Sequence, residues 1–323
     1  MVRIRGWLRS HAKAVRAADL VLRVGVTVGM LALILRAIDV SAVWRALRHA
    51  HPALLAAALV LQLASNAVTA REWQIVMHNL RFGGSGRFYL RSLFKAAFFN
   101  QAMPALGGDA LRVLDVARRG FRKRDAAYGV FLDRVLAFAS LTALSLAALG
   151  ADRHLLPPLV ERTLAIVMGA GLVGSSIVLC LGKLPLPRRP ALLALVLREA
   201  GERARRALSA QRTALVLLSL AAHLLSILSF FALGRAFGLA FGPVAYAVLV
   251  PPAIVLSGLP VSIAGWGVRE GTLVALFSLA GGDPAAVLAL SLTYGVIALG
   301  ASLPGLVVFL DPRRRRAGRR TAP

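Results

Sequence analysis

Six charged residues stand inside apolar stretches of this chain, and their types point to anion chemistry. Asp109 and Arg112 lie in "NQAMPALGGDALRV" (100–113), Asp133 and Arg134 in "FLDRVLAF" (131–138), and Arg269 and Glu270 in "GLPVSIAGWGVREGT" (258–272). A guanidinium is permanently charged and forks onto a carboxylate or a phosphate. Charges at membrane depth are costly and face the interior of a bundle, where they find partners or line a path. Adjacent helical residues point about 100° apart, so Asp133 and Arg134 need not pair with each other. Arg134 can meet Asp109, or Asp133 can meet Arg112.

The backbone around these charges is built to open. In the first motif Asn100, Pro104, Gly107 and Gly108 precede the charges; in the second Pro260, Gly265 and Gly267 do. Proline removes a backbone donor and glycine permits a tight reversal. Non-helical backbone at membrane depth survives only against protein or a wet cavity. A helix beginning near Gly108 offers Asp109 as N-cap and puts Arg112 in its first turn, where free N–H groups also favour an anion. The second motif opens a half-helix at Arg269 and Glu270 in the same way. Its glycines resemble a dinucleotide fingerprint only superficially, because the spacing is G-x-G-x-x-x-G and no strand precedes it. Plainer readings stand beside these: a capped helix with a local Asp109–Arg112 pair, a solvated Arg269–Glu270 loop, and an ion pair at Asp133 and Arg134 that only locks the bundle.

Weaker polar signals are His223, Gln62, Asn66 and Tyr294, each within an apolar run. They suit interhelical hydrogen bonds, with a proton relay as the alternative for His223. Gly25 and Gly29 form a small-xxx-small pair suited to helix packing. The chain lacks a Walker A motif and a G-x-S-x-G elbow, and its six His and one Cys (Cys180) show no zinc-ligand spacing. No catalytic residue, metal or cofactor is therefore expected, and the chain reads as a non-enzyme.

The elements that position these residues are membrane spans. The chain has 323 residues, 58% of them hydrophobic, with a mean hydropathy of +0.72. Apolar runs reach the length of about 20 residues that crosses a bilayer. Full spans are expected at about 19–37, 53–70, 126–150, 163–182, 213–234 and 284–310. The first is read as uncleaved, because "RAIDVSAVW" is a poor cleavage site. Two apolar segments are broken: 89–117 by Pro104, Gly107 and Gly108, and 243–282 by Pro251, Pro252, Pro260, Gly265 and Gly267.

The formal charge is +25, with 35 Arg and 4 Lys. Nucleic-acid binding is set aside, because the positives sit in short blocks between spans. Placing both termini in the cytoplasm puts 28 of the 39 positives inside and 5 in outer loops, the asymmetry that orients membrane proteins. Segment 89–117 then has both ends inside and 243–282 both ends outside, so each dips as a re-entrant hairpin, although the second could also cross twice. The expected fold is an all-α polytopic integral membrane protein of six full spans plus two broken hairpins, eight membrane segments in all. It forms one transmembrane domain (1–323) with an inverted-topology repeat, the first half at 1–150 and the second at 160–310. Residues 183–212 form a basic cytoplasmic amphipathic loop, and 311–323 a basic cytoplasmic tail.

Two of these motifs resemble a known family. "FFNQAMPALGGDALRV", the following "ARRG" and "AAYGVFLDR", together with "GLPVSIAGWGVREGTLV", resemble the flippase-like transmembrane region of lysylphosphatidylglycerol synthases. The resemblance implies a bacterial inner-membrane protein that moves or handles modified phospholipids. It singles out Pro104, Gly107, Gly108, Asp109, Arg112, Asp133, Arg134, Gly265, Arg269 and Glu270. The two-part synthases carry a C-terminal aminoacyl-transferase domain, whereas this chain stops at Pro323. A stand-alone member, without lysyl transfer, is therefore expected.

The resulting expectation is a lipid flippase or scramblase. Arg112, Arg134 and Arg269 cradle an anionic phospholipid headgroup, while Asp109, Asp133 and Glu270 keep the site from holding it too tightly. The rivals are a secondary transporter of a small solute, a membrane accessory of a lipid-modifying pathway, and a membrane-embedded transferase with Asp133 or His223 as its acid–base group. Expected partners are membrane lipids, with a homo-oligomer or a lipid-synthesis enzyme as open alternatives.

Overall fold

The computed structural model describes residues 12–102, 107–152, 154–180, 192–208, 210–259 and 261–310. Pro104, Pro260, the tail 311–323, most of the N-terminal basic block and the first part of the 183–212 loop lie outside the described residues. All regular structure among the described residues is helical. The helices are α1 (Ala12–Ala37), α2 (Val40–Arg48), α3 (Pro52–Asn79), α4 (Gly86–Ala102), α5 (Gly107–Ala117), α6 (Lys123–Ala151), α7 (Pro158–Cys180), α8 (Leu192–Ala207), α9 (Arg212–Ala236), α10 (Pro243–Ser257), α11 (Val268–Leu279) and α12 (Pro284–Leu310).

Five of these, α3, α6, α7, α9 and α12, are long and apolar enough to cross a membrane. A sixth span exists if α1 and α2 count as one, bent by 89°. The bend has a local cause: Asp39 caps α2, its carboxylate accepting the Ser41 N–H at 2.8 Å, so the chain restarts in a new direction. The resulting α2 is amphipathic and lays Val43 into the core.

Each broken segment is a pair of short helices. α4 and α5 have 17 and 11 residues, and α10 and α11 have 15 and 12. At about 1.5 Å per residue each falls short of the roughly 30 Å hydrocarbon core. Pro251 and Pro252, expected to break the second segment, do not. Both lie inside α10 and are buried against neighbouring helices, the setting in which membrane helices tolerate proline. The break comes after Ser257.

The largest buried apolar cluster joins α9, α10, α11 and α12, and a hydrogen-bonded seam ties α3 to α9. Ser65 Oγ donates to the Ala222 carbonyl at 2.8 Å, and Ser229 Oγ donates to the Ala58 carbonyl at 2.9 Å. Between them Ser226 Oγ donates to Gln62 Oε1 at 3.4 Å. A shift of 164 positions, the Gln62–Ser226 separation, also carries Ala58 to Ala222 and Ser65 to Ser229, so the two serine bonds are reciprocal. Small residues at such a seam let backbones approach, and hydroxyls bond across it.

The α4–α5 pair packs on α3, α6 and α12, and the α10–α11 pair on α6, α9, α12 and α1. Two glycines set the closeness. A Cβ on Gly108 would lie 2.0 Å from the Ala96 carbonyl oxygen, and one on Gly305 would lie 2.0 Å from that of Phe94. Both obstacles are backbone. α8 is pinned at the helix ends: Asn79 donates to the Ala207 carbonyl at 2.7 Å, and Arg203 bonds Asp125 at 2.5 Å.

Gly305→Ala should lose about 1–3 kcal/mol, the usual cost of overpacking, read as unfolding in detergent micelles. Gly169→Ala, where a Cβ meets nothing within 4 Å, should leave stability unchanged.

Candidate functional site

The site grows from the return of the chain after α4. Asn100, near the end of α4, accepts the Gly108 N–H on its side-chain oxygen at 2.9 Å. The expected cap was Asp109, but the structure places that residue inside the first turn of α5, and Asn100 takes the capping role from outside. The Asp109 carboxylate is thereby released for the bundle.

Asp109 is held by two arginines. Arg134 Nε and Nη2 fork onto its oxygens at 2.8 and 2.9 Å, and Arg112 Nη1 reaches Oδ1 at 3.3 Å. Arg112 Nη2 also donates to Asp133 Oδ2 at 2.7 Å. The four charges therefore alternate in a chain, Arg134–Asp109–Arg112–Asp133, running across α5 and α6. Arg112 is 1% exposed, and its guanidinium lies 4.2 Å from the centre of the Trp73 ring, where cation–π attraction replaces water. The Arg134 side chain is 53% exposed.

Arg112, Asp133 and Arg134 border a cavity of about 280 Å³, lined also by Gln62, Asn66, Thr69, Glu72, Asn100, Gln101, His223 and Tyr294, among others, with Asp109 behind the two arginines. The minor polar signals of the sequence thus converge in one place. His223 Nδ1–H donates to the Ser219 carbonyl at 2.8 Å, which in the neutral ring leaves Nε2 as acceptor. The Tyr294 hydroxyl donates to Gln62 Oε1 at 3.2 Å.

The second motif forms a separate cluster. Gly267, at φ +84°, caps α11; its N–H donates to Glu270 Oε2 at 2.6 Å. Glu270 Oε1 receives Arg269 Nη2 at 2.6 Å and Ser291 Oγ at 3.1 Å. Gly265, at φ +79°, brings the loop against Ser257, and Thr27 of α1 accepts the Ile263 N–H at 2.9 Å. Arg269 is 5% exposed and is absent from the described lining of the cavity. It touches the site through Tyr294, whose ring centre is 5.5 Å from its guanidinium. The three arginines expected around one anion are therefore divided. Arg112 and Arg134 border the cavity, and Arg269 braces the wall behind Tyr294, because Glu270 on its own helix start satisfies it first.

On its other side Arg134 borders a shallow groove of about 320 Å³ between α6 and α7, lined by Val135, Phe138, Ala170, Gly171, Gly174, Ser175 and Val178. This groove is apolar apart from Arg134 and Ser175.

Sequence reasoning missed two residues, Glu72 and Trp73. Both are buried, at 1% and 0% exposure, on the last third of α3. The signal was present: an acid and an indole in "AREWQIV" continue the helix past its most apolar stretch.

The family model described as "Lysylphosphatidylglycerol synthase TM region" matches residues 20–305. No curated protein matches the chain.

Asp133→Asn leaves the buried Arg112 without its strongest partner and should destabilise the fold by about 3–5 kcal/mol, measured by unfolding in micelles. The double change Arg112→Met with Asp133→Leu should recover most of that loss.

Proposed function

Because the chain belongs to the lysylphosphatidylglycerol synthase TM region family, a family of multi-pass membrane proteins tied to lipids, we propose that it translocates a lipid with an anionic phosphate headgroup. The observation that carries this reading is the position of Arg134. One residue, Arg134, lines both the polar cavity and the apolar groove between α6 and α7. A molecule that is polar at one end and apolar at the other fits that junction; a small polar solute has no use for the groove.

The barrier to lipid flip-flop is the transfer of a charged headgroup through hydrocarbon. A polar cavity beside an apolar groove lowers it, since the headgroup stays solvated by protein while its chains remain in the bilayer. The alternating charges supply the exchange. A phosphate that takes the exposed fork of Arg134 displaces Asp109, and Asp109 keeps Arg112. No carboxylate is stranded, so the displacement is inexpensive in a low-dielectric site. Asp109 in turn competes for Arg134 and hastens release. Arg112, Asp133, Arg269 and Glu270 hold the walls. The chemistry is transport, with no bond made or broken.

The reciprocal serine bonds across α3 and α9 support an inverted repeat of 1–150 and 160–310, since a two-fold axis between antiparallel helices generates such pairs. The short lengths of α4, α5, α10 and α11 support two re-entrant hairpins, completing eight membrane segments. The distribution of arginines supports cytoplasmic termini in a bacterial inner membrane.

In vesicles carrying a tagged anionic phospholipid, Arg134→Gln should reduce transfer to the protein-free rate. Gly174→Leu, which fills the groove at a point where a Cβ meets nothing within 4 Å, should slow lipid transfer several-fold without unfolding the protein. Wild-type transfer rates in both folded variants would sink the reading.

A further inference from the structure

The charge cluster at the cavity holds one acid too many. Glu72 and Asp133 line the cavity with Arg112 and Arg134, and Asp109, behind them, bonds both of these guanidiniums. The hydrogen bonds pair both arginines with the two aspartates and leave Glu72 over. Glu72 is 1% exposed and lines the cavity, and its Oε1 has no hydrogen-bond partner. Asp133 Oδ1, also on the cavity, has none either. An ionised carboxylate in this position would face an unpaired acceptor atom and the like charge of Asp133, a costly arrangement at low dielectric.

We propose that Glu72 is a proton-binding site within the headgroup cavity, and that its proton enters and leaves together with the anionic headgroup. The inference rests on the lipid-translocation reading and adds to it the coupled ion. With Glu72 protonated the three acids and two arginines sum to zero. A phosphate arriving at Arg134 adds negative charge and raises the affinity of the pocket for a proton; by reciprocity a proton on Glu72 raises its affinity for phosphate. Lipid affinity therefore falls as pH rises through the Glu72 titration.

The groups around Glu72 leave it as the proton acceptor. α6 presents Asp133 and Arg134, and α5 presents Arg112, with Asp109 behind it. α9 presents the Ser219 hydroxyl and His223, whose Nδ1–H is committed to the Ser219 carbonyl and whose Nε2 stays open as an acceptor, and α12 presents Tyr294, bonded to Gln62. α4 contributes the amides of Asn100 and Gln101, its Lys95 being bonded to Asp115. α8 meets α3 through Ala204 and Ala207, packed near Ile75 and Val76. Among the described residues no group of three His, Cys, Asp or Glu is placed to hold a metal ion; sodium, which amide and hydroxyl oxygens can hold, is the rival ion that the test separates.

Two measurements on the full chain test this. The first is the affinity of the purified protein for a short-chain anionic phospholipid across pH. Wild type should weaken by up to about tenfold per pH unit, the ceiling for one linked proton, with no dependence on sodium. The Glu72→Gln variant, a permanent mimic of the protonated acid, should show an affinity that no longer varies with pH. The second is the infrared carbonyl band of a buried protonated carboxylic acid, present in wild type below the Glu72 titration, fading as pH rises through it, and lost in Glu72→Gln. A band unchanged by the substitution, a pH dependence retained in Glu72→Gln, or a requirement for sodium overturns the proposal. If the band is lost as expected but no phospholipid binds at any pH, the proton site stands and the lipid reading falls alone.

Discussion

Asp109 held between Arg112 and Arg134 is the interaction on which the rest of the architecture depends. A membrane interior offers no water to settle a charge, so each ionised group must find another within the bundle. The sequence of α5 and α6 meets this demand by alternation. Each guanidinium touches at least one carboxylate, and the chain of charges ends on the one arginine that is half exposed. The reversal between α4 and α5, the Asn100 cap and the close approach at Gly108 place Asp109 where both arginines reach it.

The two broken segments solve the same backbone problem with different results. At α5 the capping oxygen comes from a neighbouring helix, which leaves Asp109 free to bond Arg112 and Arg134. At α11 the cap comes from Glu270 on the helix itself, and Glu270 then also takes Arg269. One helix start keeps its charges available, and the other consumes them in holding its own loop. α3 and α9 share a plan of packing, visible in their paired serine bonds, while the two charged motifs serve different ends.

Much of this was legible in the amino-acid sequence. Helical geometry alone separates Asp133 from Arg134 and offers each a partner on the neighbouring segment, and the structure contains both pairings. Gln62, Asn66, His223 and Tyr294 stand out because polar side chains in apolar runs are rare. Three features were not legible. Glu72 sits where α3 has already lost its apolar character, and only the helix continuing to Asn79 shows that it is buried. Pro251 and Pro252 are helix breakers by local rule, overridden by burial inside α10. The separation of Arg269 from the other arginines depends on Ser291 and Tyr294, distant in sequence, arriving beside it. Local chemistry can be read from neighbours in the chain; the division of labour among like residues is set by tertiary contacts.

The unequal fit of the glycines has a mechanical consequence. α4 is wedged on both flanks by backbone contacts at Gly108 and Gly305, with no slack for sliding. α7 turns Gly169 and Gly174 to open space while Gly171 packs on Phe138 of α6, and only 11% of its most apolar window is buried. The molecule thus has one flank locked by backbone contacts and one largely uncovered. A bulky guest would meet the least protein along the outer face of α7, while α4 and α12 act as the frame.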